Sequence, residues 1–244
     1  MSAPALPAAL AARPVVLFDA GGTLITLDYD RVRAAIPAGA GAPPNVAFDA
    51  AEARARRWAD AALRKELGAR GLWNGYFARV LGDAGVAAEA IPAALEALWR
   101  ANRERGLWRR PVDGARGTLR VLHEAGRRLA VVSNAEGQVE ADLVEAGFGE
   151  FLETVVDSAL VGVAKPDPRI FAICLERLGA RPEECLYVGD VPAFDVVGAR
   201  AAGIEPLLLD PHGVHADVDA PRLASLADLP AALGLEGACA HPRR

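Results

Sequence analysis

At 244 residues, 52% hydrophobic and 24% charged, the chain has the length for one large domain or a core with a smaller insert, and its composition excludes a disordered or fibrous protein. A formal net charge of −5, with no Lys/Arg run and no interleaved aromatics, excludes a basic face for nucleic acid. No apolar run reaches the ~18 residues of a spanning helix, so no membrane segment is expected.

Residues 1–14 are Ala/Pro-rich and carry Arg13 as their only basic residue; they read as a loose N-terminal extension, since a signal peptide needs a basic start and a longer apolar segment. Val15 to Phe18 form an apolar run that reads as a buried strand, ending on Asp19 with Gly21 and Gly22 just beyond. The periodicity then turns helical for about ninety residues. Residues 31–44 include the string from Pro37 to Pro44, a linker or turn; Asn45 is placed to cap a helix running to about Leu67, and further helices are expected over 72–81 and 92–105. A crossover between strands seldom needs ninety residues, so 28–108 is expected to be a separate helical insert, with 15–27 and 109–234 forming the core.

From Pro111 onward strands and helices alternate: helix 114–125, strand 128–133, helix 137–146, strand 153–157, helix 168–178, strand 185–189, helix 194–202, strand 204–209. Pro168 suits the first turn of its helix, where its missing N–H would have no partner anyway. Such alternation with short connections predicts an α/β fold, a doubly wound parallel Rossmann-like sheet with an inserted α-helical cap. Residues 211–234 read as a loop and a short helix, and 235–244 as a disordered tail. Cys174, Cys185 and Cys239 show no metal spacing; the first two fall on apolar stretches as reduced core residues, which by default suggests a cytoplasmic protein.

Four strand ends carry the chemistry. A lone strand-Asp-Gly-Gly is an ordinary turn in most chains, but here Asp19 is followed in order by Ser133-Asn134, Lys165-Pro166 and Gly189-Asp190 with Asp195. A macrodipole-neutralising carboxylate at a helix start would explain Asp195 but not Asp190 as well. Lys165 would ordinarily be a solvated loop lysine. With 25 arginines and only two lysines in the chain, however, it marks a position that calls for a compact ammonium. Asn134 can equally begin a turn.

Together these ends resemble the four motifs of the haloacid dehalogenase (HAD) superfamily, most of whose members are magnesium-dependent phosphatases. The resemblance covers roughly residues 15–210. It implies that Asp19 is the nucleophile, forming an aspartyl-phosphate, and that Asp19, the Gly21 carbonyl, Asp190 and Asp195 hold Mg²⁺. Lys165 would steady the nucleophile and the phosphoryl oxygens, and Ser133, Asn134 and Thr23 would line the phosphate site. The implied partner is a small phosphorylated substrate, with the protein a monomer or homodimer.

One position departs from the pattern. Typical HAD phosphatases carry a second aspartate two residues after the nucleophile, which protonates the leaving oxygen, and this chain has Gly21. Glycine keeps the carbonyl but loses the acid, a loss of roughly 10²–10⁴ in rate. The expected function is therefore a phosphatase with impaired acid–base catalysis, or alternatively an inactive metal- or phosphate-binding protein. Asp28 and Asp30 are nearby carboxylates that could substitute. Two lesser alternatives also lack the second aspartate. In a haloacid dehalogenase, Asp190 and Asp195 would repel the substrate anion. In a phosphonate hydrolase, Lys65 would be the Schiff-base lysine, although it reads as lying on a solvated helix face.

Overall fold

The computed structural model describes residues 6–41, 43–63 and 68–235. In chain order the elements are α1 (Ala8–Ala11), β1 (Val15–Phe18), β2 (Ile25–Leu27), α2 (Tyr29–Ala34), α3 (Asn45–Leu63), α4 (Gly68–Ala84), α5 (Ile91–Arg105) and β3 (Trp108–Pro111). They continue as α6 (Ala115–Glu124), β4 (Arg128–Ser133), α7 (Val139–Glu145), β5 (Thr154–Asp157), α8 (Ser158–Val161), α9 (Pro168–Leu178), β6 (Cys185–Gly189), α10 (Asp195–Ala201), β7 (Glu205–Leu209), β8 (Arg222–Leu223) and α11 (Leu229–Ala232). The chain divides into two compact units, residues 27–108 and the described residues on either side of that stretch.

The flanking unit is built on six strands in the order β5-β4-β1-β6-β7-β8, every pair parallel. From the central β1 the chain winds outward through β4 and β5, then returns to the other side for β6, β7 and β8. That is the Rossmann-like doubly wound arrangement, and its switch point lies between β1 and β6, where open α/β sheets bind ligands beyond the strands' carboxyl ends. Because helices cover both faces, the strands are apolar along their whole length rather than alternating: all four residues of β1 and all five of β6 are buried. Val15 and Leu17, Ala130 and Val132, Cys185 and Tyr187 share one face, against Ile170, Phe171 and Cys174 of α9. Gly198 in α10 is needed there: a Cβ would lie 2.8 Å from the Phe171 ring and 3.1 Å from the Pro166 backbone.

The other unit is helical. Leu27, Phe48, Phe77, Leu81 and Leu98 bring α3, α4 and α5 around one core. Tyr29 stacks on Phe48 at 5.1 Å, and Trp73 meets Phe77 at 4.4 Å and the edge of Trp99 at 5.0 Å. The α3–α4 contact depends on Gly75, where a Cβ would sit 2.1 Å from the Trp58 indole.

Several sequence expectations are revised. Residues 6–13, expected to be loose, are held in place: Leu6 N–H donates to Ala232 O, and Arg127 donates to the carbonyls of Ala11, Ala12 and Arg13. The short helix α2, which precedes the linker or turn at Pro37, was not foreseen; its first turn is capped by Asp28. Asn45 is the first residue of α3 rather than its cap, and its Oδ1 accepts from Arg33 at 2.7 Å. β2 and β3 were missed. They are short and form a two-stranded sheet of their own. Cys174 and Cys185 are buried free thiols. Lys65, Cys239 and the tail 236–244 lie outside the described residues. Among those residues, no helix is long and apolar enough to cross a membrane.

Candidate active site

Strand register sets the site. Phe18 is level with Val131 on one side and Val188 on the other, so Asp19 and Asp190 follow the last paired residues of β1 and β6, and Ser133, paired with Asp157, is the last residue of β4, all at the carboxyl edge of the sheet. Gly22, at φ 85°, takes the chain away from β1, and Gly21 forms a parallel bridge with Ile25. The bonds of that bridge run through Gly22 N and Ala20 O, leaving the Gly21 carbonyl out of it.

Asp19, Asp190 and Asp195 are buried, and each offers a carboxylate oxygen within 4.8 Å of the others. Asp195, at the start of α10, reaches back beneath Gly189. A Cβ on Gly189 would lie 2.4 Å from the Asp195 carboxyl carbon, so a glycine before Asp190 is a steric requirement of the cluster. Lys165 arrives from the loop before α9, its side chain 1% exposed, with Nζ 2.8 Å from both Asp19 Oδ1 and Asp195 Oδ1. The Tyr187 hydroxyl, a residue the motif reading did not single out, accepts from the same Nζ at 2.8 Å and lies 3.0 Å from Asp195 Oδ1. Asp19 Oδ1 also accepts from Ala20 N–H at 2.7 Å; Oδ2 takes no hydrogen bond among the described residues.

Burial pushes the Asp19 carboxyl above its ordinary range, against the downward pull of the Lys165 ammonium. Burial alone would lower Lys165, but the carboxylates of Asp19 and Asp195 more than offset it and hold the ammonium above the usual lysine range. Burial, followed by the charges of Asp195 and Asp19, keeps Tyr187 a neutral hydroxyl. Three carboxylates against one ammonium leave two negative charges out of water, which is costly without a counter-charge. An all-oxygen donor set with that charge fits a hard divalent cation such as Mg²⁺.

The remaining motif residues differ in what they touch. The Asn134 side chain bonds the Lys165 backbone: Oδ1 accepts from Lys165 N–H at 2.8 Å and Nδ2 donates to Lys165 O at 3.0 Å. It shapes the loop that delivers the ammonium. Thr23 Oγ1 lies 3.4 Å from Asp190 Oδ1, so it faces that carboxylate rather than Asp19. Ser133 is buried, with its hydroxyl uncommitted among the described residues. Asp28 and Asp30 are engaged within the helical unit: Asp28 Oδ1 accepts from the N–H groups of Asp30 and Arg31, and Asp30 pairs with Arg33. Asp157 was also missed; its carboxylate accepts from Gly137 N–H at 2.8 Å and Ala159 N–H at 2.9 Å and so holds the loop after β4. Its sequence signal, an Asp before an apolar helical turn, is too common to stand out.

A family model described as haloacid dehalogenase-like hydrolase matches residues 14–203. Among curated proteins, a phosphoserine phosphatase of Thermus thermophilus is 36% identical over 135 residues, 55% of this chain and 53% of that one. The human haloacid dehalogenase-like hydrolase domain-containing protein 3 is 36% identical over 159 residues, 62% of each chain. A glyceraldehyde 3-phosphate phosphatase of Methanopyrus kandleri is 42% identical over 88 residues, 36% of this chain and 38% of that one. The chain thus spans between about a third and just under two thirds of these relatives. Among solved structures, a magnesium-bound HAD hydrolase from Bacillus subtilis superposes with a TM-score of 0.63 at 21% identity, over 90% of this chain and 97% of that one. A HAD phosphatase from Thermococcus onnurineus gives 0.58 at 23% identity, over 91% and 98%. A dehalogenase gives 0.62 at 21%, over 90% and 96%, so at this level the likeness shows the shared fold.

Proposed function

Because the chain belongs to the haloacid dehalogenase-like hydrolases, we propose that it hydrolyses small phosphorylated substrates through an aspartyl-phosphate on Asp19. The observation that carries this reading is the Lys165 ammonium locked against Asp19 Oδ1 beside a buried cluster of three carboxylates. With Oδ1 held by Lys165 and Ala20 N–H, Oδ2 is the oxygen left to attack phosphorus. Asp19, Asp190 and the Gly21 carbonyl would hold Mg²⁺, which when bound neutralises phosphoryl charge. Asp195 supports that set from behind, since Lys165, Tyr187 and Val191 N–H already occupy its oxygens. Ser133 Oγ supplies a donor for a phosphoryl oxygen.

Nothing at position 21 can protonate a leaving oxygen, and Asp28 and Asp30 are committed elsewhere. The favoured substrates are therefore acyl or aryl phosphates, whose leaving groups need least help. The same Gly21 supports the second reading, a metal- and phosphate-binding protein without turnover. Phosphate release from acetyl, para-nitrophenyl and alkyl phosphates, with and without Mg²⁺, separates the two. The expected result is Mg²⁺-dependent release in the order acyl and aryl well above alkyl. Asp190→Asn should also weaken Mg²⁺ binding in calorimetry by tenfold or more, as a carboxylate is lost from the set. Silence on every ester would favour the binding protein, and unchanged Mg²⁺ affinity would remove Asp190 from the site.

A further inference from the structure

We propose that Tyr187 is a positioning residue of this site, the third acceptor that orients the Lys165 ammonium. An ammonium has three N–H bonds in a tetrahedral array and no acceptor. Here Nζ lies 2.8 Å from three oxygens: it donates to Asp195 Oδ1 and the Tyr187 hydroxyl and forms an ion pair with Asp19 Oδ1. Two carboxylates alone would leave one buried N–H without a partner, and the head group free to tilt toward either of them.

A tyrosine suits the third place. Being neutral, it accepts a hydrogen bond without adding a fourth negative charge to a cluster that already carries three. Its own proton faces Asp195 Oδ1 at 3.0 Å and Val132 O at 3.1 Å, so it also braces the carboxylate behind the lysine. The ring cannot drift. Tyr187 is level with Leu17 in the sheet, is fully buried, and meets the edge of Phe171 at 5.1 Å, in a layer where Gly198 leaves no slack. Tyr187 thus acts through Lys165, and through it on Asp19 Oδ1.

The activity part of the test rests on the phosphatase reading; the spectroscopic part does not. The chain has two lysines, so ¹⁵N-lysine labelling gives two ammonium signals, and Lys65→Arg leaves that of Lys165. In the otherwise unaltered protein the Lys165 ammonium protons should exchange at least tenfold more slowly than those of Lys65. Tyr187→Phe, which keeps the ring, should shift the Lys165 signal and speed its exchange about tenfold, the size of one lost hydrogen bond. On para-nitrophenyl phosphate with saturating Mg²⁺ it should lower kcat about tenfold with KM within twofold. Phe171→Leu, which loosens the packing around the ring but keeps the hydroxyl, should shift the signal and lower kcat by much less than Tyr187→Phe does. The proposal falls if Lys165 exchanges as fast as Lys65 in the unaltered protein, a result needing no variant to fold. It also falls if Tyr187→Phe leaves the signal unmoved, or if Phe171→Leu moves it equally. A protein without turnover but with the slow ammonium signal would overturn the phosphatase reading and keep this one.

Discussion

At the scale of the residue, Asp19, Lys165, Asp190 and Asp195 could be picked out in sequence because they follow a strand, precede a proline-led helix or open a helix in the order of the family's motifs, and the structure brings them together. Asn134, Thr23 and Tyr187 could not be assigned the same way. What decides them is which atom each side chain meets, and an amide that bonds a neighbouring backbone reads identically to one awaiting a ligand. Gly21 is the residue with the largest chemical consequence. It is not among the glycines with positive φ, unlike Gly22 beside it, so a side chain there meets no left-handed strain. Gly21→Asp should therefore fold and raise alkyl phosphate turnover by up to the ~10²–10⁴ that general acid catalysis supplies. Comparing kcat/KM on alkyl and aryl esters reads this directly: a gain confined to alkyl esters supports the missing acid. No gain in a folded, Mg²⁺-binding variant would show that the site lacks more than an acid.

At the scale of the element, the buried strands of the sheet unit were legible as uninterrupted apolar runs and its helices by their amphipathic period. β2, β3 and α2 were not: three, four and six residues are too few for a period to stand out. The helical unit holds a feature of its own, a buried carboxylate at Glu52. The Tyr29 hydroxyl lies 2.8 Å from Glu52 Oε2, and Arg56 pairs with Oε1 at 2.7 Å. Burial alone would raise the Glu52 pKa; Arg56, one turn on, more than offsets it and holds the carboxyl below the ordinary glutamate range. A pKa depressed by folding contributes stability that is fully present above the unfolded value and lost as pH falls through the folded one. The loss should therefore begin below about pH 4.5. Glu52→Gln removes the buried carboxylate that Arg56 and Tyr29 contact and should cost roughly 1–3 kcal/mol near neutrality while flattening that acid limb. Denaturant titrations at pH 7 and pH 3.5 test it; equal losses at both would place the effect in packing instead.

At the scale of the whole molecule, parallel winding in a 3-2-1-4-5-6 sense puts four separated segments at one sheet edge without any of them being local in sequence. That explains why a motif order spread over about 180 residues can specify a site only a few ångströms across. The proposed reaction requires that Asp19 become phosphorylated. An acyl phosphate survives acid quenching and is reduced by borohydride to an alcohol, so Asp19 caught in turnover converts to homoserine, which peptide mass spectrometry locates. This conversion is expected at Asp19 when acetyl phosphate and Mg²⁺ are both present, and not when either is left out. Phosphate release with Asp19 unmodified, or undiminished in Asp19→Asn, would contradict it.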